Sequence, residues 1–184
     1  MKVELNEIEV IEVDHIDRDN YKEYIGKTVK VAKDVYLDGL GLTKIPINFT
    51  EVGRDFECWQ NQLTSLEGSP KEVGGVFICV LNKLTSLEGG PEKVGDSFDC
   101  SYNKLKTLKG APAKVGGNFD CWQNQLTSLV GAPKYVGSNL DCSYNKLTSL
   151  EGAPVKVGKS FDCSYNQLES TKDKPESIGG EFIS

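Results

Sequence analysis

Apolar and polar positions recur along the chain with a period of 21 residues. In each period a large apolar residue, usually phenylalanine, precedes a cysteine by two positions, and mostly polar residues flank the pair. An alternation with a period of two is typical of a strand that buries one face. The cysteines mark the period most clearly, at Cys58, Cys79, Cys100, Cys121, Cys142 and Cys163. The pattern therefore predicts one short strand in every repeat.

The second half of the unit predicts a turn and an extended return. Written once, the unit is F-x-C-x-x-N-x-L-x-S-L-x-G-x-P-x-x-V-G-x-x, and its asparagine and leucine end the strand. The Gly-x-Pro segment cannot continue a helix, because proline favours extended or turn conformations. A coil of 21 residues has no room for a long helix and cannot bury its apolar side alone. Stacked coils would share a continuous core, which predicts a repeat solenoid.

The residues of the unit resemble a known repeat family. The segment F-x-C-x-x-N-x-L, as in Phe98–Leu105, resembles the L-x-L-x-x-N-x-L segment of leucine-rich repeats, and the Gly-x-Pro return is similar to that of bacterial effector-type repeats. The 21-residue style is also similar to repeats common in tailed-bacteriophage and bacterial proteins. The resemblance implies a mainly β leucine-rich-repeat solenoid, with a curved parallel β-sheet on its concave face and extended or turn return segments. It also implies a phage-encoded protein.

The repeats predict where the solenoid begins and ends. Residues 35–184 form about seven coils, and Phe182 and Ile183 begin an eighth strand. The first coil is degenerate, with Val35 and Leu37 in the Phe and Cys positions, as is expected at the end of a repeat array. No polar capping helix follows the last repeat, which predicts an open sheet edge.

Residues 1–34 lie outside the repeat and are predicted to form a small N-terminal cap. Apolar residues over 3–13 indicate a strand, and residues 27–31 are again strand-like. Between them, residues 17–25 are compatible with a short helix that ends at Gly26, a residue suited to a helix C-cap.

Composition and charge mainly exclude classes of function and location. The 184 residues carry a formal net charge of −6, which argues against direct nucleic-acid binding, because that requires Lys and Arg on the phosphates. No apolar run approaches the roughly 18 residues needed to span a bilayer. The N-terminus shows no basic region followed by an apolar one, so no signal peptide is expected. These features predict a soluble protein without membrane contact in the cytoplasm, or in the host cytoplasm if the chain is phage-encoded.

Candidate chemistry is sparse in this chain. No two cysteines are closer than 21 residues and the single histidine is His15, whereas zinc sites use close cysteine pairs and histidines. The cysteines are therefore predicted to be reduced thiols packed in the core, and the asparagines to bond backbone groups of adjacent coils. There is no G-x-S-x-G, H-E-x-x-H or P-loop motif. The sequence predicts a protein that is not an enzyme and has no cofactor and no metal.

An acidic strip is predicted on the concave face. If Phe and Cys point inward, the residue between them points outward, and aspartate occupies that position in four consecutive coils, as Asp99, Asp120, Asp141 and Asp162. On adjacent strands these carboxylates would lie roughly 5 Å apart and raise one another's pKa. One interpretation is a surface for Lys or Arg of a partner, and another is a repeat consensus whose charges water screens. A calcium site is a weaker option, because a linear ladder does not enclose an ion.

The third coil departs most from the unit. Its outward positions are apolar where other coils carry polar residues, and an exposed apolar cluster usually marks an interface. The predicted cluster comprises Trp59, Val76, Ile78, Val80 and Leu81, and an aromatic rim comprises Tyr102, Trp122, Tyr144 and Tyr165. The alternative is that the N-terminal cap folds over the cluster.

These surfaces predict a non-catalytic protein–protein interaction module. Its partner would be a protein with a basic and partly apolar surface, bound through the acidic, aromatic concave face. The phage resemblance implies a protein that inhibits or redirects a host protein, such as a defence factor. Two alternatives stay open: a structural protein or homo-oligomer that uses the open C-terminal strand, and a small-molecule or calcium-binding protein.

Overall fold

The chain folds into a mainly β solenoid of parallel strands in about eight coils. The structure, a computed structural model, describes residues 9–184. Its strands are numbered in chain order and form two sheets, and from β2 onward successive strands alternate between them. Every strand pairing is parallel, and equivalent residues of neighbouring coils lie side by side.

One sheet has eight strands and contains the strand that the repeat predicts. These are β3 (Val35–Tyr36), β5 (Phe56–Glu57), β7 (Phe77–Ile78), β9 (Phe98–Asp99), β11 (Phe119–Asp120), β13 (Leu140–Asp141), β15 (Phe161–Asp162) and β17 (Phe182–Ile183). The predicted eighth strand, which begins at Phe182 and Ile183, is confirmed as β17.

The other sheet has nine strands and lies on the return side of each coil. It comprises β1 (Val10–Val13), β2 (Thr28–Val31), β4 (Asn48–Val52), β6 (Glu72–Val73), β8 (Lys93–Val94), β10 (Lys114–Val115), β12 (Tyr135–Val136), β14 (Lys156–Val157) and β16 (Ser177–Ile178). The sequence predicts an extended return, which is confirmed, but it does not predict this second sheet. Most of its strands have only two residues, of which only the valine points into the core. They are too short to show the alternation of apolar and polar residues that predicts a strand.

The core lies between the two sheets and is built of side-chain columns. The rings of Phe56, Phe77, Phe98 and Phe119 stack on one another, with centroid separations of 5.2, 5.1 and 5.5 Å. All six cysteines are free thiols whose residues are at most 1% exposed, which confirms that they are packing residues of the core. The valines of the nine-stranded sheet close the core from the opposite side.

The asparagine of each coil ties that coil to the preceding one, as predicted. In Asn103, Nδ2 donates to the carbonyls of Cys79 and Cys100 at 3.0 and 3.1 Å, and Oδ1 accepts from the amide of Leu84 at 3.0 Å. The same bonds recur in the other five coils, at Asn61, Asn82, Asn124, Asn145 and Asn166. The asparagines therefore satisfy backbone groups that the turn after each strand would leave unpaired.

The N-terminal segment extends both sheets at one end. Strands β1 and β2 continue the nine-stranded sheet, and Ile16 bridges to Val35 of β3. The predicted strands are confirmed where they are described, whereas Val3, Leu5 and Ile8 lie outside the described residues. Whether residues 1–34 act as a cap stays a prediction.

The predicted helix over residues 17–25 is wrong in length and type. The structure has a 3₁₀ helix of four residues, Tyr21–Tyr24, and Gly26 follows with a φ of 76°. The side chain of Asp17 accepts from the amides of Asp19 and Asn20, and this local turn replaces the first helical turn. In the part of the chain that the structure describes, no helix is long and apolar enough to cross a membrane.

Candidate functional site: the outer face of the eight-stranded sheet

The candidate site is the outward-facing surface of the eight-stranded sheet, here called the eight-stranded face. Phe and Cys of each strand point into the core, so the residue between them points out. Strand pairing places these residues in one continuous column, Tyr36, Glu57, Ile78, Asp99, Asp120, Asp141, Asp162 and Ile183. The predicted column is therefore confirmed in register and in direction.

The four aspartates form a ladder in the middle of this column. Each side chain is half-buried, and neighbouring strands place successive carboxylates side by side. Three of them accept a hydrogen bond from the backbone amide of the serine two positions later, at 2.9 Å in each case: Asp99 from Ser101, Asp141 from Ser143 and Asp162 from Ser164. These bonds stabilise the ionised carboxylates.

Asp120 differs from its neighbours because a tryptophan replaces the serine. Trp122 follows it, and within residues 9–184 no amide donates to the Asp120 carboxylate in the same way. Burial, followed by the charges of Asp99 and Asp141 on the flanking strands, raises the pKa of Asp120 to about 7. Burial likewise raises the pKa of Asp99. The centre of the ladder therefore changes its charge near neutral pH.

We expect Asp120→Asn to stabilise the fold at pH 8 but not at pH 4. Because the folded protein holds the Asp120 proton more tightly than an ordinary aspartic acid, this group stabilises the fold at low pH, and that stability is lost as pH rises from about 4 to about 7. Removing the carboxylate should raise the free energy of unfolding by about 2 kcal/mol at pH 8, which allows for solvent screening of a half-buried group.

Urea denaturation at both pH values measures this gain. Asp173→Asn, an exposed carboxylate outside the ladder, is the matched control and should have little effect at either pH. An equal gain from Asp120→Asn at pH 4 and pH 8 would contradict the assignment.

The apolar cluster lies on the same face, directly beside the ladder. Ile78 pairs with Glu57 on one side and with Asp99 on the other. Trp59, Val76, Ile78 and Val80 are half-buried, and Leu81 is 48% exposed. The indole of Trp59 donates to the Glu57 carboxylate at 3.0 Å, which fixes the ring on this face. The structure thus brings together the predicted apolar and acidic residues.

The aromatic rim stands at a backbone position with positive φ. The second residue after each cysteine has a φ of 52–55°, a region that bulky residues seldom occupy. These residues are Gln60, Leu81, Tyr102, Gln123, Tyr144 and Tyr165. In the first coil the same position is Gly39, with a φ of 63°, and this glycine is the sequence signal that could have predicted the conformation.

The predicted rim residues form two aromatic pairs. Tyr102 packs edge-on against Trp122 of the next coil at a centroid separation of 4.4 Å. Tyr144 stacks on Tyr165 at 4.3 Å and an interplanar angle of 12°. Tyr144 and Tyr165 remain 50% and 69% exposed, so their outer ring surfaces are available to a ligand.

A ladder of polar side chains at the residue before Phe is a feature that sequence reasoning missed. There, a side-chain oxygen accepts the backbone amide of the next coil, as Asp55 does from Val76 at 2.9 Å and Asn118 does from Asn139 at 3.1 Å. Asp34, Ser97, Asn139 and Ser160 do the same. Val76 stands in this column and has no oxygen with which to accept.

The buried cysteine thiols are held in their protonated form. Burial raises the pKa of the Cys100 and Cys121 thiols well above the usual value, and that of Cys163 to about 11, so the reactive thiolate is disfavoured. Within residues 9–184 no group of three or more His, Cys, Asp or Glu side chains is placed to hold a metal ion.

Comparison of the chain with protein-family models, curated proteins and solved structures gives no match. The class that the structure defines is a parallel β-solenoid with two sheets and a 21-residue repeat.

Proposed function

We propose that this chain is a non-catalytic protein-binding solenoid of the leucine-rich-repeat type. Its eight-stranded face would bind a partner protein whose surface is basic and partly apolar. The observation that carries the proposal is the third coil, where half-exposed aliphatic side chains replace polar residues that serve the scaffold elsewhere.

Val76 is the clearest replacement. In the coils before and after it, Asp55 and Ser97 each accept the backbone amide of the following coil. A valine gives up this hydrogen bond, which typically contributes about 1 kcal/mol, without moving into the core. Ile78 similarly replaces a charged or polar residue of the outward column. Apolar side chains that weaken the scaffold and stay half-exposed support an interface.

The ladder and the rim supply the other half of the surface. Carboxylates on consecutive strands would attract Lys and Arg, and the tyrosine rings beside them offer flat faces that favour cations. Aromatic residues near an apolar centre are frequent hot spots of protein interfaces. The repeat style supports the narrower proposal of a phage-encoded inhibitor of a host protein.

The test compares two matched triple variants in partner capture. Trp59→Ser, Ile78→Ser and Val80→Ser together should weaken binding of a partner, captured from bacterial lysate and then purified, at least about a hundredfold. The control replaces three exposed apolar residues outside this face, Ile25, Val130 and Val155, with serine and should leave affinity within about twofold of the parent.

A second arm of the same test addresses the ladder. Asn in place of all four aspartates should slow association and flatten its dependence on salt. Every variant in this test must retain the far-ultraviolet circular dichroism of the parent protein. Unchanged capture by the Trp59, Ile78 and Val80 variant would refute the proposed face.

A further inference from the structure

A groove on the opposite, nine-stranded sheet carries lysines around an exposed tyrosine. Lys114 pairs in register with Tyr135, and Tyr135 pairs with Lys156, so the three side chains lie in a row on neighbouring strands. Tyr135 is 48% exposed, and both lysines are exposed. Val136, Gly137 and Gly158 complete the lining, and the groove has a volume of about 660 Å³.

The corresponding depression earlier in the sheet is smaller, and its lysines are paired with glutamates. Around Gly53, Gly74 and Gly95 its volume is only about 220 Å³. There the lysines form ion pairs with glutamates of the adjacent coil, such as Lys93 with Glu72 at 2.5 Å. By contrast, neither Lys114 nor Lys156 forms an ion pair with any residue of the described chain.

We propose that the Lys114–Tyr135–Lys156 groove binds an acidic segment of extended peptide. The Cα atoms of the two lysines are two strand spacings apart, roughly 10 Å, and their long side chains can reach the roughly 13 Å between residues i and i+4 of an extended chain. In such a chain the side chains at i, i+2 and i+4 share one face. Carboxylates at i and i+4 would meet the ammonium groups, and an apolar or aromatic side chain at i+2 would pack on the Tyr135 ring. This site is separate from the eight-stranded face and does not rest on the function proposed for it.

A peptide fits this groove better than a nucleic acid does. The chain has a net charge of −6, so a polyanion would be repelled by the rest of the molecule, whereas a short segment with two carboxylates adds little repulsion. A row of two lysines with a single tyrosine also offers few phosphate contacts compared with those that nucleic-acid binding uses.

The probe is a fluorescein-labelled peptide with a Glu-Gly-Trp-Gly-Glu core, compared with the same peptide carrying Gln in place of Glu. Fluorescence anisotropy should show that only the acidic peptide binds the full chain, and that added salt weakens the complex. Lys114→Ser with Lys156→Ser should reduce affinity at least about tenfold, and Tyr135→Ser about fivefold.

Lys104→Ser with Lys146→Ser is the matched control, because it removes the same charge from two exposed lysines that are also two coils apart. This control should change affinity by less than about twofold. The variant at Trp59, Ile78 and Val80 should also retain peptide binding, so the two proposals can fail separately.

Four outcomes would overturn the inference. The acidic peptide fails to bind at millimolar concentration, or the control pair weakens it as much as the groove pair. Alternatively, the groove pair abolishes binding of a short oligothymidylate while the peptide does not bind. Finally, sedimentation shows that the groove pair dissociates an oligomer of the chain, which would assign the groove to a second copy.

Discussion

Asn103→Ala should lower the free energy of unfolding by about 4 kcal/mol, because it leaves several buried backbone groups without partners. Asn103 donates to the carbonyls of Cys79, Cys100 and Ser101 at 3.0–3.2 Å, and it accepts from the amide of Leu84. Alanine can make none of these bonds. The site is only 9% exposed, so water has little access to replace them.

Urea denaturation monitored by circular dichroism measures this loss. Lys104→Ala changes the next residue, which is exposed, and should alter stability by less than about 0.5 kcal/mol. Asn103→Asp retains an acceptor for Leu84 but loses the amide donors and buries a charge, so it should destabilise the fold at pH 7 at least as much as alanine. A loss below about 1 kcal/mol for Asn103→Ala would show that the asparagine hydrogen bonds between coils are not a principal source of stability.

The features that the sequence predicts correctly are those whose side chains are the same in nearly every coil. Phe, Cys and Asn each perform one structural task per coil, so their periodic identity reveals both the strand and its buried side. The acidic column follows from the same logic, because strand alternation fixes its direction once the Phe and Cys positions are known.

The features that the sequence does not reveal are those that different residues perform equally well. Asp34, Asp55, Ser97 and Asn118 look unrelated as a column, yet each supplies one oxygen to the next coil. The second residue after each cysteine also adopts a positive φ that the sequence does not indicate. Only Gly39 suggests this conformation, because the other coils have glutamine, tyrosine or leucine there. Backbone geometry, rather than side-chain identity, defines both columns.

The raised pKa of Asp120 could not be predicted from the sequence for a different reason. All four aspartates occupy the same position of the repeat, so the periodic pattern does not distinguish Asp120 from the others. The distinction comes from the residue two positions later, where Trp122 replaces the serine whose amide bonds the carboxylates of Asp99, Asp141 and Asp162. Without such a bond, burial and then the charges of Asp99 and Asp141 raise the pKa of Asp120 to about 7.

The spacing of the coils depends on the glycine that follows each valine. A Cβ added at Gly116 would lie 1.9 Å from the carbonyl oxygen of Gly95, and at Gly95 it would lie 2.1 Å from that of Gly74. These contacts are with backbone atoms of the preceding coil, which cannot rotate away as a side chain can. The column is thus glycine because strands at hydrogen-bonding distance leave no space for a methyl group there.

We therefore expect Gly116→Ala to destabilise the fold by about 4 kcal/mol or more, although it removes no core side chain and adds a single methyl group. Relief of the clash requires β10 to separate from β8, which breaks the sheet on which the stacking of later coils depends. Gly41→Ala is the informative control. Its φ of 70° disfavours alanine but nothing lies within 4 Å of the added Cβ, so it should cost only about 1 kcal/mol. Urea denaturation of the two variants separates steric exclusion from backbone strain, and equal losses would refute the close-approach explanation of the glycine column.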